Sequence, residues 1–288
     1  MTHDHAHPHD HHDHAAHAHA HGDAVHGRVL TIRSHSGLSG DMLLTGLALM
    51  TAAAEAAEAP LGTAALVDAA NRALAEELAP LAARVPALAG CVGLVRKEVA
   101  GIGGWHARVE LPEAHEHRTL AHIRGLIEDS GLSERARGLA LDCFGLLARC
   151  EAEVHGKSPD EVAFHEVGAL DSILDICLAC ALAVRLDPAR FVVGPLPLAD
   201  GSVRCAHGHI PAPAPAVLAL LSGVPVRPFA GDAAAGELVT PTALALLRSL
   251  GCDFGPWPAF CVKATALVYG SKVFPGTANG AVFAVGMA

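Results

Sequence analysis

The chain reads as an α/β or α+β fold, a layered mixed sheet with several helices behind a disordered His-rich N-terminal tail. Three observations lead there. Strand-like runs alternate with helical periods along most of the 288 residues, which is the pattern of a layered domain. Ile176–Val184 (ICLACALAV) is apolar on every face, so it belongs to a helix buried all round rather than to a surface helix. Residues 1–26 hold 11 of the 20 histidines, interleaved with Asp and Ala, a composition that cannot build a core. The expected organisation is therefore a tail over 1–26 and one domain over 27–288.

In order, the sequence predicts a strand at Arg28–Arg33, a glycine-containing loop Ser34–Gly40, and a helix starting near Ser39 or Asp41. A second helix is expected over Thr63–Leu78. Strands Cys91–Val99 and Trp105–Leu111 flank the Gly-rich turn Gly101–Gly104 and read as a hairpin. Helices follow near Thr119–Ser130 and Glu134–His155. Ser158-Pro159-Asp160-Glu161 has the cap, proline and acids of a helix N-terminus. The buried helix spans Ala169–Arg185 and feeds a strand at Phe191–Val193. After a proline-rich loop, Ile210–Pro215, come a helix to Leu221, a strand at Val224–Pro228, a helix over Pro241–Leu250, and strands near Phe260–Val268 and Ala281–Val285.

A formal net charge of −10 argues against nucleic acid or an anionic membrane as partner. No long apolar run is free of helix breakers, and the N-terminus lacks the basic and apolar regions of a signal peptide. Cytoplasmic residence is the expectation. The eight cysteines are scattered, and the close pair Cys177 and Cys180 lies inside the apolar helix, where two small core residues are the simpler reading than a zinc or redox pair.

Chemistry concentrates at Phe164–Asp175, FHEVGALDSILD, where a histidine and three carboxylates crowd the head of the buried helix. Asp171 and Asp175 stand four residues apart and share a face. Carboxylates so near a core require cations, donors or a metal to offset their desolvation. In the tail, the closely spaced imidazoles of His3, His5, His7, His9, His11, His12, His14, His17, His19 and His21 suit Ni, Zn, Cu or Co, without selecting among them. The strand–Gly loop–helix at Ser36–Asp41 has an anion-binding geometry, with capping as the plainer role for Ser39 and Asp41. Further clusters are Arg204–Pro211 (RCAHGHIP), Glu237–Thr242 (ELVTPT), where Thr240 and Thr242 straddle a helix-starting proline, and His115–Arg118 (HEHR) with His122 nearby.

SGLSGDM at Ser36–Met42, HEHR, EAEVHG at Glu151–Gly156, FHEVGALDSILDI, CAHGHIPAPAP and GELVTPT at Gly236–Thr242 occur in an order that resembles the LarC family, the nickel-insertion proteins of nickel-pincer nucleotide biosynthesis. The resemblance spans about residues 29–286. It implies insertion of Ni into a pyridinium bisthiocarboxylate mononucleotide with consumption of CTP, a lyase-type reaction forming nickel–carbon and nickel–sulfur bonds. It further implies Ni²⁺ ligands among His165, Glu166, Asp171, Asp175, His207 and His209. Phosphate would be held by Ser36, Gly37, Ser39, Gly40, Asp41, Thr240 and Thr242, with the tail as a source of captured metal. The other reading is a nickel chaperone or store for another nickel enzyme, such as a hydrogenase or urease.

The chain also departs from the family pattern. Arg33 and His35 stand where an acid and an aromatic usually precede the SGxSGDM motif, Ala266–Gly270 replaces a glycine-rich segment, and Ala243 replaces a glycine. Longer members continue into a domain associated with nucleotide triphosphates, so the CTP step, with a divalent cation, is expected to need a separate subunit. The remaining expected partners are the pincer nucleotide precursor or a recipient nickel enzyme.

Overall fold

The structure, a computed structural model, describes residues 26–56, 62–111, 118–164, 167–205, 208–229, 231, 236–274 and 276–288. Its frame is a mixed seven-stranded sheet ordered β11-β6-β1-β13-β12-β3-β2. The strands are β1 (Arg28–Ser34), β2 (Val92–Val99), β3 (Ile102–Val109), β6 (Arg190–Val193), β11 (Asp253–Phe254), β12 (Cys261–Val268) and β13 (Ala281–Met287). β13 lies between β1 and β12, antiparallel to both, while β1, β6 and β11 run parallel to one another. β12 and β3 meet in parallel at Val268 and Trp105. Two-stranded pairs complete the strands: β4 (Arg118–Thr119) with β5 (Ala163–Phe164), β7 (Leu196–Leu198) with β10 (Val226–Pro228), and β8 (Gly201–Cys205) with β9 (Gly208–Ala212).

The helices are α1 (Gly40–Glu55), α2 (Thr63–Arg84), α3 (Leu120–Glu128), α4 (Glu134–His155), α5 (Leu170–Leu186), α6 (Pro215–Leu220) and α7 (Pro241–Ser249). α1 packs on the sheet, α2 and α5 pack on α1, and α4 packs on α5 and α7. Period-two residues of the sheet, Leu30 and Ile32 of β1 with Phe283 and Val285 of β13, join the same core as Leu43, Leu47 and Met50 of α1. The contact is close because α1 carries Gly46, where a Cβ would stand 2.3 Å from the Phe283 ring. α5 is enclosed as its sequence predicts: Ile176 through Ala183 are all buried. Its C-terminal turn is fastened as well, since Arg185 there pairs with Glu55 at 2.6 Å and Glu76 at 2.7 Å.

Several expectations are refined. The β2–β3 hairpin turns on Ala100 and Gly101, with φ of 51° and 77°, so Gly103 and Gly104 belong to the strand instead of the turn. α2 continues six residues beyond Leu78 to Arg84, through Pro80. Pro159–Glu161 is a single 3₁₀ turn with a capping box between Ser158 and Glu161, not the start of a longer helix. The proline-rich segment expected as a loop is in part a strand: β9 pairs with β8 in the register Ser202–Pro211 and Arg204–His209. Pro211 is tolerated because β9 is the edge of a two-stranded pair. Cys177 and Cys180 are fully buried, and burial pushes the Cys177 thiol up to about 12, so the pair is core rather than a metal or redox site. Among the described residues no helix is long and apolar enough to cross a membrane.

Candidate functional site

The Gly loop after β1 is fastened to the segment before α7. Leu38 donates its N–H to the Leu238 carbonyl at 2.9 Å, and Thr240 donates to the Leu38 carbonyl at 3.0 Å. This zipper demands a glycine: Gly37 has φ of 139°, and a Cβ there would lie 2.1 Å from the Leu238 oxygen. It sets the start of α7 beside the start of α1, so that a Cβ on Gly40 would stand 3.1 Å from Thr242 Cγ2 and 3.4 Å from Asp175 Oδ2. Between these elements opens a cavity of about 970 Å³. α1, α5, α6 and α7 all begin at its wall, and α4 ends there.

Asp41 is the most heavily constrained side chain of the site. Its Oδ1 accepts from Ser39 Oγ and, at 2.9 Å, from the Met42 N–H. Its Oδ2 accepts from the Ser271 N–H at 2.8 Å and the Ser271 hydroxyl at 3.0 Å. His106 of β3 lies against it, with Nδ1 3.8 Å from Asp41 Oδ2 and 3.1 Å from the Tyr269 carbonyl.

Asp175, on the second turn of α5, is the opposite case: Oδ1 is buried without a hydrogen-bond partner among the described residues. Burial first, then the charges of Asp41 and Asp171, push its carboxyl well above the usual carboxylate range. Asp171 is exposed and accepts from the Ser172 N–H at 2.7 Å. Glu151 and His155, on successive turns of α4, pair at 3.3 Å on the same wall, while Arg204 and Lys272 bring positive charge to it. One cavity thus offers helix N-termini and cations for an anion, with carboxylates and imidazoles for a metal cation.

The structure brings together Ser39, Gly40, Asp41, Asp171, Asp175, Thr240 and Thr242 from the expected set. Ser36, fully buried, and Gly37, packed on Leu238, do not line the cavity; they shape the loop that forms it. Asp41, expected at a phosphate, is an acceptor on both oxygens and would repel one. Thr240 caps α7 by accepting the Ala243 N–H at 3.2 Å. His209 is exposed on β9 and stands off the cavity wall. His165, Glu166, His207, the pair His115 and His117, and the tail histidines lie outside the described residues. Among the described residues, no three His, Cys, Asp or Glu side chains converge to hold a metal ion.

The departures at Arg33 and His35 fall away from this site. Arg33 donates to the carbonyls of Gly255 and Pro256, each at 2.7 Å, and lies 4.8 Å over the Trp257 ring. It clamps the segment after β11, which removes it as an alternative anion or metal contact. The motif arginine Arg118 is buried and donates to the Gly168 carbonyl at 2.9 Å, bracing the turn ahead of α5.

Sequence reasoning placed Arg204 and the Glu151–His155 pair within motifs without giving them a role, and did not single out His106, Ser271 or Lys272. The pair carried a signal, an i, i+4 acid and imidazole at the end of a long helix. His106 carried little, because its partners Asp41 and Tyr269 are remote in the chain.

A family model described as "Nickel insertion protein" matches residues 30–285. A Nocardioides sp. (strain ATCC BAA-499 / JS614) protein named "Pyridinium-3,5-bisthiocarboxylic acid mononucleotide nickel insertion protein" is 40% identical over 248 residues, 86% of this chain and 57% of that protein. A Staphylococcus epidermidis (strain ATCC 12228 / FDA PCI 1200) protein of the same name is 31% identical over 247 residues, 86% of this chain and 56% of that protein. The chain therefore spans about half the length of the curated relatives it matches. No solved structure matches it.

Proposed function

The chain belongs to the nickel insertion protein family, and from that premise we propose that it inserts nickel into a pyridinium bisthiocarboxylate mononucleotide, with the 970 Å³ cavity receiving both substrates. The observation that carries this reading is Asp175. A buried carboxylate oxygen without a donor, in a cavity where four helices begin, is costly until a cation arrives. The volume lies within the range of about 300–1,000 Å³ typical of small-molecule sites.

In this reading the start of α7, with Arg204 and Lys272, holds the nucleotide phosphate. Backbone N–H groups and cations there favour a dianion without requiring a side-chain proton. Asp175 and Asp171 face the nickel, and His165, Glu166 and His207 are the further ligands proposed for it. Oxygen and imidazole donors suit a borderline divalent cation, and they are weaker partners for it than the sulfurs of the substrate, which favours transfer. The tail histidines raise the local concentration of Ni²⁺ available to the folded domain. CTP, with its own divalent cation, is handled by a partner domain or subunit.

Two measurements test the proposal. Calorimetry on a chain lacking residues 1–26 should still show near-stoichiometric Ni²⁺ binding; no binding would confine metal to the tail. Nickel transfer to the bisthiocarboxylate nucleotide in the presence of CTP should appear when a candidate partner domain is added. Failure to transfer with every such partner would overturn the insertion reading.

A further inference from the structure

Resting on the reading of the cavity as nickel-handling, we infer that His106 is a nickel ligand, presenting Nε2 to the cation while the Tyr269 carbonyl and Asp41 hold the ring from behind. A carbonyl oxygen only accepts, so the 3.1 Å contact with Tyr269 places the ring proton on Nδ1. Nε2 is then left with its lone pair. It has no hydrogen-bond partner among the described residues, and the side chain, 15% exposed, stands on the cavity wall.

The carboxylate behind the ring is fixed. Asp41 Oδ2 lies 3.8 Å from Nδ1 and is itself held by two donors from Ser271 at 2.8 and 3.0 Å. An imidazole that gives one N–H to a carbonyl or carboxylate and keeps the other nitrogen open has the outer-shell arrangement of metal-bound histidines. The negative charge of Asp41 behind the ring favours a cation on Nε2. A histidine serving only packing on β3 would have no need of a carboxylate tethered by four donors. The ligand class is a borderline first-row divalent cation, with its remaining positions left to other donors of the cavity, to water and to the incoming substrate.

The test uses the full chain with its tail histidines replaced by serine, titrated with NiCl₂. The Ni²⁺-loaded protein should show a solvent-exchangeable imidazole N–H resonance shifted far outside the diamagnetic range, from Nδ1–H. That resonance should vanish in His106→Gln, with Ni²⁺ affinity falling at least about tenfold. Asp41→Asn, which keeps the imidazole but loses the orienting charge, should lower affinity by roughly 10–100-fold. Unchanged affinity and an unchanged resonance in His106→Gln overturn the ligand assignment while leaving the proposed function intact. Should that variant fail to fold, absence of the shifted N–H from the loaded parent protein overturns the assignment by itself. A parent protein that binds no Ni²⁺ at all overturns the underlying reading as well.

Discussion

At the start of α1, Asp41 receives donors on both oxygens from Ser39, Met42 and Ser271, whereas on the second turn of α5 Asp175 buries Oδ1 with no donor from the described residues. The two carboxylates line one cavity and repel each other, yet the chain has spent its local polar groups on only one of them. Asp41 is built to stay in place. Asp175 is built to wait, its ionised form uncompensated until a cation or a proton arrives.

The largest expected departure follows from removing the satisfied member. Asp41→Ala strands the donors of Ser39, Met42 and Ser271 and should destabilise the protein by about 2–4 kcal/mol in denaturant unfolding. A loss under about 0.5 kcal/mol would mean that the donor shell contributes nothing.

Arg33 provides a satisfied polar group outside the cavity. Arg33→Ala removes two hydrogen bonds and a Trp257 contact and should cost about 1–2 kcal/mol while leaving Ni²⁺ affinity unchanged. A change in affinity would place Arg33 back at the site.

Asp175→Asn should act with the opposite sign. A carboxyl raised in the folded state holds its proton there more tightly than in the unfolded chain, so its contribution is greatest below the unfolded value. That contribution is lost as pH rises from the unfolded value toward the raised folded one. Without metal, the variant should gain on the order of 1 kcal/mol at neutral pH and show a flatter stability–pH profile over that window. Destabilisation at pH 7 and above would contradict the comparison.

The smallest effects separate two hydroxyls of α7. Thr240→Ala should cost about 1 kcal/mol through the lost cap, and Thr242→Ala less than about 0.5 kcal/mol, read from thermal unfolding.

Most of the frame was readable from local signals. α4 begins after the Ser133 cap and stops at Gly156 with φ of 62°, and its predicted bounds match. The apolar run of α5 and the burial of Cys177 and Cys180 follow from composition alone. What escaped depends on distant partners. β9 was hidden by Pro211, which a two-stranded edge tolerates, its partner β8 went unread with it, and β11 is only two residues long. At the site, the sequence identified the polar head of α5 and both helix starts, because carboxylates beside apolar runs are costly and Gly loops are conspicuous. It gave no sign that Ser36 turns inward or that Asp41 is saturated, since the donors to Asp41 Oδ2 come from Ser271, 230 residues away.

The position of β13 bears on how the molecule comes to exist. Strand 281–287 pairs with strand 28–34 on one side and with 261–268 on the other, so the sheet stays in two pieces until residues 281–287 have left the ribosome. Pairings across some 250 residues form slowly and leave apolar edges open in the meantime. Ser271, which locks Asp41, is synthesised 230 residues after it. During translation the head of α1 therefore precedes the lock that holds Asp41 in place, and the cavity is finished only once Ser271 has been made.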